Sequence, residues 1–300
     1  MTFLRVLASF VLAAGICGQA GAVEIRTATG PVAIEETPKR VAVFDVAAID
    51  TLDALGVAPA GVPANIFVPQ LENVAKSSEQ VGTLFEPDLE ALNALGPDLI
   101  IVGGRSSPRA ASTSRVAPTI DMTMMGADLL AEARERLGAY GALFGRKAEA
   151  DALEQRLDAA VVSARAAVAG KGKALILMTN GPKITVYGPG SRFGWLHSGL
   201  GITPAVQSIG AAVHGEAASF EFVAKADPDW LIVVDRAAAL GAGEQNAKAT
   251  LDNELVAQTK AWRAGRVLYL PAADVYIAAG GVQATMRVLD TVTRAFTAAK

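Results

Sequence analysis

The sequence predicts an α/β protein of two Rossmann-like lobes, each built on a parallel sheet, joined by one long rigid helix with a ligand cleft between them. Three observations carry that prediction. Strand-like apolar runs alternate with helical stretches along the chain, a long segment without Pro or Gly lies near its middle, and one strand-centred pattern occurs twice. The β-then-α order suits parallel sheets, whose neighbouring strands need a crossover helix and are covered on both faces.

The elements follow in order. Residues 1–22 are set apart as a cleavable secretory signal. Arg5 supplies a positive start, Val6 to Ile16 an apolar run too short to span a bilayer, and Ala20-Gly21-Ala22 a small-x-small cleavage site. The one cysteine, Cys17, lies in that segment behind Ile16 instead of the small residue that lipid anchoring needs, so an exported protein without a lipid anchor is expected. A mature chain without thiols has no disulfide, thiolate metal site or cysteine nucleophile.

Residues 23–145 read as the first lobe. Arg40 to Phe44 is a strand and Ala47 to Leu55 the helix after it. Leu99 to Val102 and Thr119 to Thr123 are further strands, and Ala127 to Phe144 has helical periodicity. Residues 146–170 are the connector. Arg146 to Ala169, bracketed by Gly145 and Gly170, should form one helix of about 24 residues, roughly 36 Å long. Residues 171–300 read as the second lobe, with strands at Ala174 to Met178, Trp230 to Val234 and Arg266 to Leu270. Val282 to Ala299 closes the chain as a helix.

The duplication is the most informative pattern. Pro97-Asp98-Leu99-Ile100-Ile101-Val102-Gly103-Gly104-Arg105 matches Pro228-Asp229-Trp230-Leu231-Ile232-Val233-Val234-Asp235-Arg236, and Glu90 and Glu221 each stand seven residues before the proline. Ligands of open α/β sheets bind outside the carboxyl ends of strands. Two such ends facing each other would aim Arg105 and Arg236 at one ligand, although an isolated strand-end arginine is more often simply solvated. Arg192 sits in the glycine-rich turn Gly188-Pro189-Gly190-Ser191-Arg192-Phe193-Gly194, which lacks the Gly-Lys-Ser/Thr ending and the spacing of a phosphate loop.

Of the two histidines, His197 reads as packed or capping, and His214 lies in a small-residue loop where nothing in the packing demands an imidazole. Tyr276, just before Gly280-Gly281, reads either as a core aromatic or as a phenol at the cleft rim. With 27 Lys and Arg against 30 Asp and Glu, and no basic block, nucleic acid is not a partner. Nucleophile-elbow, zinc-protease and Walker signatures are missing, so the chain is expected to bind and not to catalyse.

These motifs resemble the periplasmic binding proteins with a long connecting helix, which carry iron–siderophores, haem or cobalamin to ABC importers. Within that family the chain looks most like the catecholate-siderophore binders. The likeness rests on Gly104-Arg105, on Gly190-Ser191-Arg192-Phe193-Gly194, on Val233-Val234-Asp235-Arg236, on His214-Gly215 and on Tyr276 before the last Gly-Gly helix. It departs at Ala278-Ala279, where a more glycine-rich run is expected. The resemblance implies a triad of Arg105, Arg192 and Arg236 under the ligand. His214 and Tyr276 would bind iron directly when a tetradentate siderophore leaves sites open. Glu90 and Glu221 would dock to the permease dimer in the inner membrane.

The ligand is then an Fe(III)–siderophore complex, with no intrinsic cofactor and a monomeric carrier. Haem or cobalamin binding on the same fold, and a periplasmic siderophore-processing enzyme, are the alternatives. The chemistry is consistent: catecholate oxygens are anionic acceptors, and guanidinium forks stay protonated at any relevant pH. Phenolate is a good donor to iron(III) and neutral imidazole an acceptable one.

Overall fold

The computed structural model describes residues 22–124, 128–242 and 246–299. Except for Ala22, the expected signal segment with Cys17 lies outside them, as does Ala127, the expected start of a helix. No helix among the described residues is long and apolar enough to cross a membrane.

The first half holds a sheet of five parallel strands in the order Glu79–Gln80, Gly61–Val62, Val41–Val43, Leu99–Val102 and Thr119–Asp121. Its side chains divide with period two. Val41, Val43, Leu99 and Ile101 join one large core, while Ala42, Phe44, Ile100 and Val102 join a second on the opposite face. Burial on both faces is why these strands read as unbroken apolar runs. An antiparallel hairpin, Val23–Thr27 with Gly30–Ile34, precedes the sheet.

The second half is a sheet in the order Glu216–Ala218, Lys183–Tyr187, Lys173–Asn180, Trp230–Asp235 and Val267–Tyr269, with Thr203–Pro204 beside the start of Lys173–Asn180. The expected parallel pairing holds from Lys173–Asn180 to Val267–Tyr269. Lys183–Tyr187 runs against its neighbours. The cause is local: Asn180 pairs with Lys183 around Gly181 and Pro182, and Gly181 takes φ 56°. Glycine in the first position of a two-residue loop is a hairpin signal, so the chain turns back at once.

Helix Lys147–Val168, 22 residues, runs between the two sheets. Its buried residues are Ala150, Leu153, Leu157, Val161, Ala164 and Val168, a stripe at three- and four-residue spacing. That stripe packs on helix Leu129–Leu143 and on the closing helix Val282–Ala298, and one apolar core runs through both halves.

The repeated Pro-Asp has a structural cause. Asp98 accepts from the Lys39 and Arg40 amides at 2.7 and 2.9 Å, and the Asp98 amide donates to the Arg40 carbonyl. Asp229 accepts from the Lys173 amide at 2.8 Å and returns its own amide to the Lys173 carbonyl. Each aspartate therefore sets the register of its strand against the first strand of its sheet. Each is preceded by a short helix that ends in a left-handed residue, Gly96 or Asp227.

The closing helix starts at Gly281, which offers no side-chain cap. The cap comes from helix Val46–Ala54 of the first half. Asp50, fully buried, accepts from the Gln283 and Ala284 amides at 2.7 and 3.1 Å, and Thr51 accepts from the Val282 amide. Arg287 bonds Asp50 at 3.0 Å and Asp274 at 2.8 Å. A side chain at Gly281 would collide with the Asp50 carboxylate, so the glycine is required by this close approach.

Candidate functional site

Arg105 leaves the end of strand Leu99–Val102 on a tight turn. Gly103 donates to the Ser106 hydroxyl at 3.0 Å, and Gly104, at φ 53°, donates to the Thr123 hydroxyl at 2.8 Å. The turn sends the guanidinium across the cleft, where it donates to the Tyr276 carbonyl at 3.2 Å. Arg236 opens the short helix Arg236–Ala239, capped by Asp235, whose side chain accepts from the Ala238 amide.

Arg192 owes its position to glycines. A Cβ at Gly188 would strike the Ile209 carbonyl, one at Gly190 the Ala211 side chain, and one at Gly194 the Pro189 carbonyl. Their absence lets the turn lie against the loop that follows Ile209, and the Arg192 amide donates to the Val213 carbonyl at 3.4 Å. The glycines thus serve close backbone packing.

Three of the expected residues converge on a fourth. Arg105 and Arg192 both donate to the Tyr276 carbonyl at 3.2 Å, and Arg236 donates through Nε to the Tyr276 hydroxyl at 3.0 Å. Their guanidinium carbons lie 5.0, 4.7 and 5.9 Å from the ring centre, in the same order. Burial opposes ionisation of Tyr276, but the Arg236 hydrogen bond and the charges of Arg236, Arg105 and Arg192 outweigh it and hold the phenol below its usual range. Burial lowers the pKa of Arg192, and guanidinium remains charged nonetheless.

His214 is not part of that cluster. It is exposed, on the loop whose Val213 carbonyl is tied to the Arg192 backbone, and it makes no hydrogen bond or ion pair with the other described residues. His197 is buried, with Nδ1 2.8 Å from the Ile202 carbonyl, and burial lowers its pKa. Glu90 and Glu221 lie exposed in the first turns of helices Leu89–Leu95 and Phe220–Ala226. The Ser219 hydroxyl holds the Glu221 carboxyl below its usual range. Among the described residues no three His, Cys, Asp or Glu side chains could hold a bare ion.

Two residues escaped the sequence reading. Asn180 accepts from Arg236 at 3.0 Å, a partner that the Asn-Gly hairpin signal could have placed at a strand end. Arg136, on helix Leu129–Leu143, is buried, pairs with Asp45 at 3.5 Å and lines the cleft floor with Arg105 and Arg192. An arginine on the apolar stripe of a helix was the available signal.

Two sheets whose strand ends face one cleft, bridged by one long helix, define a two-lobed binding protein, and the chain belongs to the periplasmic binding protein family, which it matches over residues 41–273. It is 32% identical over 263 residues to the petrobactin-binding protein YclQ of Bacillus subtilis, covering 86% of this chain and 83% of that protein. It is 30% identical over 275 residues to the ferric-anguibactin-binding protein FatB of Vibrio anguillarum, covering 89% and 85%. The periplasmic catecholate-siderophore binding protein VctP of Vibrio cholerae superposes with a TM-score of 0.85 at 30% identity, covering 91% of this chain and 99% of that one.

Proposed function

We propose that this chain captures an anionic ferric siderophore of the catecholate type and delivers it to an ABC import permease, without chemical turnover. One observation carries the reading: three arginines, one from the first half and two from the second, meet on a single half-buried tyrosine, two at its carbonyl and one at its hydroxyl. Only a ligand with several anionic oxygens uses all three, and each charge-assisted bond adds about 1.5–3 kcal/mol. The relatives named for petrobactin, ferric anguibactin and catecholate siderophores support the same class.

In this reading residues 23–145 and 171–300 are the lobes and 146–170 the rigid connector of a periplasmic monomer with no cofactor of its own. The ligand's oxygens take over the guanidinium bonds now made to Tyr276. A tetradentate ligand leaves two iron sites, which the Tyr276 phenolate and, after movement of its loop, His214 fill. Glu90 and Glu221 dock the lobes to the permease; E90K with E221K should leave ferric-siderophore affinity unchanged and abolish transporter-dependent uptake, as expected for rim charges. Undiminished uptake would return both to ordinary surface residues.

The test is tryptophan quenching or native mass spectrometry with ferric catecholates, haem and cobalamin. A one-to-one ferric catecholate complex at sub-micromolar affinity is expected. Tighter binding of haem or cobalamin would overturn the ligand class, and hydrolysis or reduction of the siderophore would overturn the carrier reading.

A further inference from the structure

Resting on that reading of the cleft, we propose that Arg136 and Asp45 form a second polar subsite in the cleft floor, which takes a carboxylate carried on the siderophore's backbone, away from its iron-binding oxygens. The cavity beneath the arginine cluster measures ≈ 150 Å³ and is lined by Asp45, Gly103, Arg105, Arg136, Arg192 and Tyr276 among others. Pockets that hold an entire ligand run to about 300–1,000 Å³, so this space suits one side group.

Its charge is set by the chain. Arg136 is the cation of the floor, and its contact with Asp45, at 3.5 Å, is longer than the roughly 2.7–2.9 Å of a charge-assisted hydrogen bond. Among the described residues this is its one ion pair, which leaves most of the fork free for a bidentate acceptor. Asp45 is committed as the cap of helix Val46–Ala54, accepting from the Ala47 amide at 2.9 Å. Burial pushes its carboxyl above the usual range, against the pull of Arg136 and the Ala47 and Ala48 amides.

The neighbouring carboxylate, Asp121, is held by the hydroxyls of Ser107 and Thr123 at 2.5 and 2.6 Å. The cations Arg105, Arg136 and Arg192 therefore outnumber the one carboxylate in the lining. Behind them the buried Tyr140 hydroxyl, a polar group next to Arg136, finds no hydrogen-bond partner among the described residues. Gly103 completes the wall: a Cβ there would collide with the Asp45 carboxylate, so the strand end stays bare where the side group enters.

The ferric complexes of two bis-catecholamides, built on lysine and on cadaverine, test this, because they differ only in lysine's carboxylate. The native protein should bind the lysine complex at least about tenfold tighter, the yield of one charge-assisted bond. The double variant D45N/R136M keeps the net charge of the protein. In it the ratio of the two affinities should fall to about one. Equal affinities in the native protein, which need no variant and no folding control, would overturn the subsite while leaving the function intact. A ratio that survives in a folded double variant would do the same, and failure to bind either complex would overturn the ligand class itself.

Discussion

Two polar contacts between the halves of the molecule differ in kind. At the cleft, the Arg105 guanidinium reaches the Tyr276 carbonyl, a neutral acceptor, and both side chains are half-buried. On the other side, Asp50 of the first half is sealed against the closing helix, bonded to two amides and to Arg287, which Asp274 also holds. The first contact can be exchanged for a ligand at small cost, because each guanidinium only trades acceptors. The second is a buried, charge-assisted cap whose loss leaves ions without partners. Adjustment to a ligand therefore falls to the cleft, and the Asp50 side acts as the fixed edge.

Breaking that contrast gives the largest expected effect. Arg287→Met strands Asp50 and Asp274 and should cost about 3–5 kcal/mol of unfolding free energy, read by urea denaturation, with little change in ligand affinity. Arg105→Met should do the reverse. It should alter stability by less than about 1 kcal/mol and weaken ferric catecholate binding by roughly ten- to a hundredfold. If both variants changed stability alike, the two contacts would not divide the work as described.

The fixed edge also has a pH signature. Burial pushes Asp50 up to about 6, against the Ala284 amide, Arg287 and the Gln283 amide. A carboxyl raised on folding stabilises most while protonated, below about pH 4, and that contribution is lost as pH climbs to about 6. Unfolding free energies of Asp50→Asn and the native protein should therefore diverge in the variant's favour by up to roughly 3 kcal/mol across that window. A constant difference would show that the carboxyl titrates alike folded and unfolded.

A smaller effect sharpens the comparison of the two sheets. Asp98 accepts from two amides of its neighbouring strand and Asp229 from one. Asp98→Ala should cost about 1–2 kcal/mol in denaturant unfolding, and Asp229→Ala about half that. The reverse order would mean that the duplicated motif is not a matched strand clamp.

These contacts also mark what the sequence could and could not convey. The matched Pro-Asp strands, the long helix and the three arginines were legible because local signals fix them: apolar runs, a glycine-free stretch and turns at strand ends. The Lys173–Asn180 to Lys183–Tyr187 hairpin was equally local, written in Asn180-Gly181, and was overlooked. So was the alternation of Val23 and Ile25 with Glu24 and Arg26, which marks the first hairpin strand. Asp50 was illegible for a different reason. It is a charged residue within a helix, and only the partner brought by the fold distinguishes a buried cap from a solvated surface charge, whereas Arg136 could be read as buried from its helix stripe but not as a cleft cation. The distance between His214 and the arginine cluster likewise depends on a loop that no local signal places.

The claim on which the account turns is that three guanidiniums recognise an anionic ferric catecholate, and one titration tests it most directly. Tryptophan fluorescence, with Trp195 buried three residues after Arg192, can follow binding of a ferric tris-catecholate to the native protein and to R105M/R192M/R236M. Loss of three charge-assisted bonds should weaken binding by more than about a thousandfold while the variant stays folded. Retention of native affinity by the folded triple variant would contradict the account.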